Sequence, residues 1–149
     1  MIYVNDYLDP EYVWFLDAKD KTEVLDRMIE GLSASPKIND ASAFGRAVKE
    51  REAVMSTGLG LGFAVPHVKI PQVQGIALGV GIVPSGVDWD ALDGAPVKLV
   101  FLFAAGADEH QIYLRLLSKI ILVMKNRTRR ESLIQATTPQ QVLELFKGV

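Results

Sequence analysis

The chain has no cysteine among its 149 residues. Disulfide staples, thiolate metal sites and cysteine nucleophiles are therefore excluded, and a cytosolic home is compatible with that absence. An excess of charge of either sign is lacking too. Sixteen Lys and Arg stand against 18 Asp and Glu, a formal net charge of −2, so binding to nucleic acid through a general basic face is not suggested. Long apolar runs are missing: the two most apolar stretches, around residues 76–83 and 97–105, are far too short to span a bilayer. Residues 1–10 carry Asp6 and Asp9 and have no run of signal-peptide type. A soluble, cytoplasmic protein is expected, with any membrane role reached through a partner such as a permease. No internal repeat, low-complexity tract or linker interrupts the chain.

What is present is a globular composition, 49% hydrophobic and 23% charged. The length suits one domain, residues 1–149, able to bury its own core. Val24, Leu25, Met28, Ile29 and Leu32 recur at helical spacing and predict a helix over 21–33, with Asp20 as cap and Glu23 in capping-box position. A second helix is predicted over 41–51, after Asn39 or Asp40, burying Phe44, Ala47 and Val48. A short apolar piece, 63–65, leads to Pro66 and His67. Residues 75–83 and 97–105 read as interior strands, apolar on both faces. Between them, Pro84-Ser85-Gly86 and Leu92-Asp93-Gly94 mark turns. The longest helix is predicted over 108–126, with Ile112, Leu116, Leu117, Ile120, Ile121 and Met124 on its core face. Thr128, with Glu131 three residues on, is expected to open a short helix. Thr138 and Pro139 open the last one. Strands alternating with helices imply an α/β layered domain, a mixed β-sheet with helices packed on it.

Only two histidines are available for chemistry, His67 and His110. His67 follows a β-rich piece and a proline, at the exit of a segment that ends near the surface. A neutral imidazole can attack phosphorus directly, needing only an acceptor on its other nitrogen to fix the tautomer. His110 falls in the first turn of the long helix, where unpaired N–H groups and the helix dipole favour an anion and a neutral, donating imidazole. Arg51 closes Lys49-Glu50-Arg51-Glu52 and offers a planar fork of donors that matches a phosphoryl group. Each residue taken alone has an ordinary alternative: a turn histidine, an exposed helix start, a solvated charge cluster. The segment Thr57-Gly58-Leu59-Gly60-Leu61-Gly62 lacks the Gly-Lys-Ser/Thr ending of a nucleotide phosphate loop and the spacing of a dinucleotide fingerprint. It reads instead as backbone needing unusual dihedrals or close approach. No short-range spacing supports zinc bound by the two histidines with Asp108 or Glu109, and no serine sits in a nucleophile elbow. Neither a metal nor another cofactor is expected.

Residues 51–69 read REAVMSTGLGLGFAVPHVK. This stretch resembles the active-site segment of the fructose/mannitol-type IIA domains of the bacterial sugar phosphotransferase system, roughly R-E-x-x-x-S-T-G-I-G-x-G-I-A-I-P-H-G-K. The arginine, glutamate, Ser-Thr-Gly, alternating glycines, proline, histidine and lysine fall in register. Downstream, Gly86-Val87-Asp88-Trp89 through Asp93-Gly94 precedes the apolar strand as in the family, and Glu109-His110 opens the long helix where the family often has His-Leu. The resemblance runs over about residues 7–146. It implies a phosphocarrier: His67 takes a phosphoryl group from the phosphohistidine of HPr and passes it to a IIB domain, often onto cysteine. By position, Arg51 steadies the phosphoryl charge and His110 is the accessory histidine. The cysteine-bearing IIB and the permease are then expected as separate proteins. Leu61 departs from the family at a position often polar, and Val68 stands where glycine usually follows the histidine, which is expected to narrow the approach to His67 or alter the partner surface. A second reading is a nitrogen-type regulatory relative, which controls target proteins by its phosphorylation state. A third is a purely structural domain, which would take no phosphoryl group.

Overall fold

A computed structural model describes residues 2–149; Met1, where both the expected domain and the stretch read for a leader begin, lies outside the described residues. After one 3-10 turn, Val4–Asp6, the chain enters strand β1 (Leu8–Phe15), then helices α1 (Lys21–Leu32) and α2 (Ala41–Val54). Three short strands follow: β2 (Gly58–Gly60), β3 (Phe63–Ala64) and β4 (His67–Lys69). Two long ones come next, β5 (Ile76–Val87) and β6 (Val97–Ala105), and then helices α3 (His110–Met124), α4 (Arg127–Ile134) and α5 (Pro139–Leu145). The sheet is mixed, as expected. β5 and β6 pair antiparallel at its centre, β1 lies parallel to β5, and β3 and β4 lie one after the other, both parallel to β6.

Period-2 alternation on β6 divides the core into two layers. Leu99, Phe101, Phe103 and Ala105 face the side packed by α3, α4 and α5. Val100, Leu102 and Ala104 face the side packed by α1 and α2. Both faces are covered, which is why residues 97–105 read as an unbroken apolar run. Each fully buried leucine or phenylalanine there contributes roughly 1.5–3 kcal/mol of transfer free energy. Among the described residues, no helix is long and apolar enough to cross a membrane.

Several boundaries differ from the sequence-based expectation, each for a local reason. β1 was not foreseen. It is an edge strand, largely exposed over Asp9–Glu11, with an irregular register between Leu8 and Val13 around Pro10. Pro84-Ser85-Gly86 is not a turn between strands. β5 runs through it with a break in register between Ile82 and Val87, and Gly86 takes φ +74°. α2 continues past Arg51 to Val54, capped by Asp40, which accepts from the Ala43 N–H at 3.0 Å. α3 begins at His110, not at 108, because Glu109 closes a turn with its N–H on the Gly106 carbonyl. Asn126, not Thr128, caps α4 by accepting from Arg129 N–H, and Glu131 pairs with Arg127 at 2.9 Å in place of a capping box. Asp20 and Thr138 cap α1 and α5 as read.

The glycine-rich segment is the β2–β3 hairpin, and both of its expected properties are present. A Cβ on Gly58 would lie 2.9 Å from Cβ of Ala91, so that backbone must pack close. At the tip, Gly60, Leu61 and Gly62 all have positive φ, with Leu61 at +59° and half exposed. The Asp93 carboxylate holds this tip, accepting from the Leu61 N–H at 3.0 Å, and these backbone donors from Ala95 and Leu61 hold its carboxyl below the usual range. A leucine in the left-handed region carries roughly 1–2 kcal/mol of strain that asparagine largely avoids. Leu61→Asn is therefore expected to raise stability by about 0.5–1 kcal/mol, and Leu61→Val to lower it, read as the urea midpoint at constant slope.

Candidate functional site

Pro66 interrupts the strand that runs along β6. Ala64 pairs with Val100 and His67 with Phe103, while between them the Phe103 N–H reaches the Pro66 carbonyl at 3.0 Å. Proline brings no N–H of its own to the ladder. The neighbouring Val65 carbonyl is turned instead to the His67 side chain, whose Nδ1 lies 2.6 Å away. A carbonyl only accepts, so Nδ1 carries the proton and Nε2 keeps a free lone pair. Thus one proline places the histidine, leaves it half-buried at the sheet margin, and sets its tautomer.

Around His67 opens a cleft of about 530 Å³ between the end of α2 and the start of α3. Arg51, Glu50, Val54, Val68, Lys69, His110 and Tyr113 share its lining. The three residues singled out in the sequence, His67, Arg51 and His110, therefore meet in one cleft although 59 positions separate the first from the last (110 − 51). Arg51 is partly exposed, and its guanidinium donates to the Met55 carbonyl at 2.9 Å, which lays it along the helix end. His110 is the first residue of α3, and Glu109 before it makes no side-chain cap bond, so the open N–H groups of that turn face outward.

Two further residues enter the cleft that sequence reasoning did not select. Lys69 donates from Nζ to Nδ1 of His110 at 2.9 Å. Tyr113 packs its ring against that of His67, centroids 5.8 Å apart and tilted by 57°. Burial pushes the Tyr113 phenol up to about 12, with the Arg51 guanidinium pulling the other way, so it stays protonated at neutral pH. Signals for both existed. Lys69 falls in register with the lysine of the resembled motif, and Tyr113 stands one helical turn beyond His110 on the same face. Val68 borders the cleft, but its side chain is buried in the layer under α1 and α2, so at this position packing is what differs from glycine.

Next to Arg51 in the chain, Glu52 gathers a polar cluster. Glu52 is buried, and its carboxylate accepts from the Thr57 N–H at 2.8 Å, the Thr57 hydroxyl at 2.7 Å, the Trp89 indole at 2.9 Å and the Lys21 ammonium at 2.8 Å. Burial alone would push this carboxyl up. The donors from Lys21 and Thr57 outweigh it and hold the group below its ordinary value. A second hollow, of about 300 Å³, lies beside this cluster between α1 and α2, lined by Lys21, Lys49 and Glu52 among others, but no histidine borders it.

Residues 6–149 match the family described as "Phosphoenolpyruvate-dependent sugar phosphotransferase system, EIIA 2". The chain belongs to that family. It is 33% identical over 131 residues to the "PTS system fructose-specific EIIABC component" of Bacillus subtilis, a match covering 88% of this chain and 21% of that protein. The chain thus spans about a fifth of that relative's length. With the "Mannitol-specific phosphotransferase enzyme IIA component" of Staphylococcus aureus it shares 30% identity over 135 residues, covering 89% of this chain and 88% of the other. Among solved structures, the nitrogen regulatory protein IIA-Ntr of Neisseria meningitidis superposes with a TM-score of 0.88 at 23% identity, over 96% of this chain and 98% of that one.

Removing Glu52 leaves the partly buried Lys21 ammonium, the Trp89 indole and the Thr57 N–H and hydroxyl without their acceptor. Glu52→Ala is expected to cost about 3–5 kcal/mol in denaturant unfolding. Because the folded-state carboxyl titrates below its ordinary value near 4.5, its stabilisation is complete above that pH and is lost as pH falls through the lower, folded value. The gap in stability between wild type and Glu52→Gln should therefore shrink as pH drops below about 4.5. A gap that stays constant from pH 7 down to pH 3 would contradict the assignment.

Proposed function

From that family membership, we propose that the chain is a phosphocarrier of the phosphoenolpyruvate-dependent system, with His67 accepting a phosphoryl group from the phosphohistidine of HPr and passing it to a IIB domain. The observation that carries this reading is the bond from His67 Nδ1 to the Val65 carbonyl, which leaves Nε2 free in a cleft shared with Arg51 and His110. The relatives' names support it: one is a fructose-specific EIIABC component, the other a mannitol-specific IIA component.

The chemistry asks little of the protein beyond alignment and charge. The Nε2 lone pair of His67 forms a bond to phosphorus while the donor's N–P bond breaks and its electron pair returns to the donor imidazole. Donor and acceptor atoms are both imidazole nitrogens, so no proton need move and the step is close to balanced. The His67 ring gains positive charge as the N–P bond forms, and the Val65 carbonyl on Nδ1–H stabilises it. The equatorial oxygens carry the negative charge. Arg51, with its fork of donors, and His110, at the positive end of α3, are the groups to meet them. Tyr113 covers one side of the His67 ring and limits water there. Passing the group to a IIB cysteine repeats the displacement with sulfur as nucleophile.

Intact-mass measurement after incubation with phosphoenolpyruvate, enzyme I and HPr tests this directly. One acid-labile phosphoryl group is expected on wild type and none on His67→Ala; an unlabelled wild type beside a labelled control IIA would sink the reading. Arg51→Ala is expected to slow single-turnover transfer from phospho-HPr by about 10²–10³-fold, with Arg51→Lys between the two because it keeps the charge and loses the fork. Labelling without onward transfer to any IIB, together with target binding in only one phosphorylation state, would move the chain to the regulatory reading.

A further inference from the structure

We propose that Lys69 is a positioning residue for this transfer and acts through His110; the inference rests on the carrier reading above. β4 places His67 and Lys69 two residues apart, hence on the same face, with Val68 turned into the core between them. α3 begins opposite this face, and its first residue, His110, receives the Lys69 ammonium on Nδ1 at 2.9 Å. An ammonium has three donors and no acceptor, so Nδ1 of His110 must supply the lone pair. The ring proton is then confined to Nε2. His110 consequently offers an N–H to the cleft, where the other tautomer would offer a lone pair and repel a phosphoryl oxygen.

The contact matters because, among the described residues, no other side chain bonds the His110 ring. Its Nδ1 has no other partner among the described residues, and Glu109 before it bonds only through the backbone. Lys69 in turn has no carboxylate within 4.0 Å among the described residues, so no anion cancels its charge at the cleft. A histidine held this way is the counterpart of one whose far nitrogen is held by an outer partner in a metal site, where loss of the partner costs tenfold or more. At His67 a carbonyl on Nδ1 makes Nε2 the nucleophile. At His110 an ammonium on Nδ1 makes Nε2 the donor. The two rings are set to opposite roles by partners of opposite polarity.

Rapid-quench transfer from phospho-HPr to the full chain tests this. Lys69→Met is expected to lower the saturating rate about tenfold while the half-saturating concentration of phospho-HPr stays unchanged, and Lys69→Arg, which keeps a cationic donor, should restore most of the rate. In a His110→Ala background, Lys69→Met should have no additional effect. An equal loss in both backgrounds would mean that Lys69 meets the phosphoryl group itself and would overturn the inference, as would a change confined to the half-saturating concentration. Nitrogen-15 NMR of the unphosphorylated chain gives a second readout: wild type should hold His110 with its proton on Nε2, and a proton on Nδ1 would overturn the inference by itself. A wild type that takes no phosphoryl group fails the carrier reading and the inference together; a labelled wild type indifferent to Lys69 fails the inference alone.

Discussion

The Glu52 carboxylate is the constraint on which the cleft depends. It stands in the last turn of α2 and draws in four donor groups from three places: Lys21 at the start of α1, the N–H and hydroxyl of Thr57 before β2, and Trp89 in the segment leading to β6. A buried carboxylate with one partner would be a liability, since desolvation costs several kcal/mol. With four donors the position of each is over-determined, because any shift leaves a buried polar group unpaired. Arg51 is the residue immediately before it in the chain. Fixing Glu52 therefore fixes the helix end from which Arg51 reaches the cleft, and Thr57 carries the same constraint into the glycine hairpin and its Val65 partner, the Val65 N–H donating to the Thr57 carbonyl at 3.1 Å.

From Val65 the chain of cause runs to His67. Val65 spends its N–H on Thr57 and its carbonyl on His67, so the residue is committed on both sides. Pro66 follows, removes one donor from the ladder, and forces the strand to restart at His67. A continuous strand would have spent the Val65 carbonyl elsewhere in the sheet and left the imidazole free to choose its tautomer. The interruption that weakens the sheet at its margin is thus the feature that readies the histidine. The cost is small, because β3 and β4 contribute only five residues between them to a sheet whose centre is β5 and β6.

Much of this was legible in the residues. The long apolar runs had to be interior strands, Asp20 and Thr138 had the side chains to cap helices, and Arg51, His67 and His110, singled out by residue type, line one cleft. What stayed hidden was whatever depends on tertiary context. β1 has too many exposed polar residues to announce itself, and only pairing with β5 makes Leu8 and Val13 a strand. Pro84-Ser85-Gly86 has turn chemistry, yet the sheet absorbs it as an irregularity. The cap of α4 lay two residues earlier than its Thr-x-x-Glu pattern implied, because Asn126 could accept from Arg129 and Arg127 could claim Glu131. Lys69 and Tyr113 contact histidines 41 and 46 positions away (110 − 69 and 113 − 67), a distance that local pattern does not span.

On the proposed reading the chain is a carrier, whose task differs from that of an enzyme that completes one reaction, and the cleft suits that task. Holding the phosphoryl group too firmly would trap it, since a donor contact as strong in the resting phosphohistidine as in transfer lowers both states together. The groups around His67 suit a looser hold. Arg51 is partly exposed and already shares its donors with Met55, and His110 sits at a helix end that is open to solvent. Contacts of this kind weaken in water and strengthen once a partner covers the cleft and excludes it. The exposed side chains of Val54 and Met55 beside Arg51 are placed to be covered in that event. Stabilisation would then be greatest while two proteins are docked, which is when the phosphoryl group must be between donor and acceptor atoms, and least when the proposed carrier travels alone.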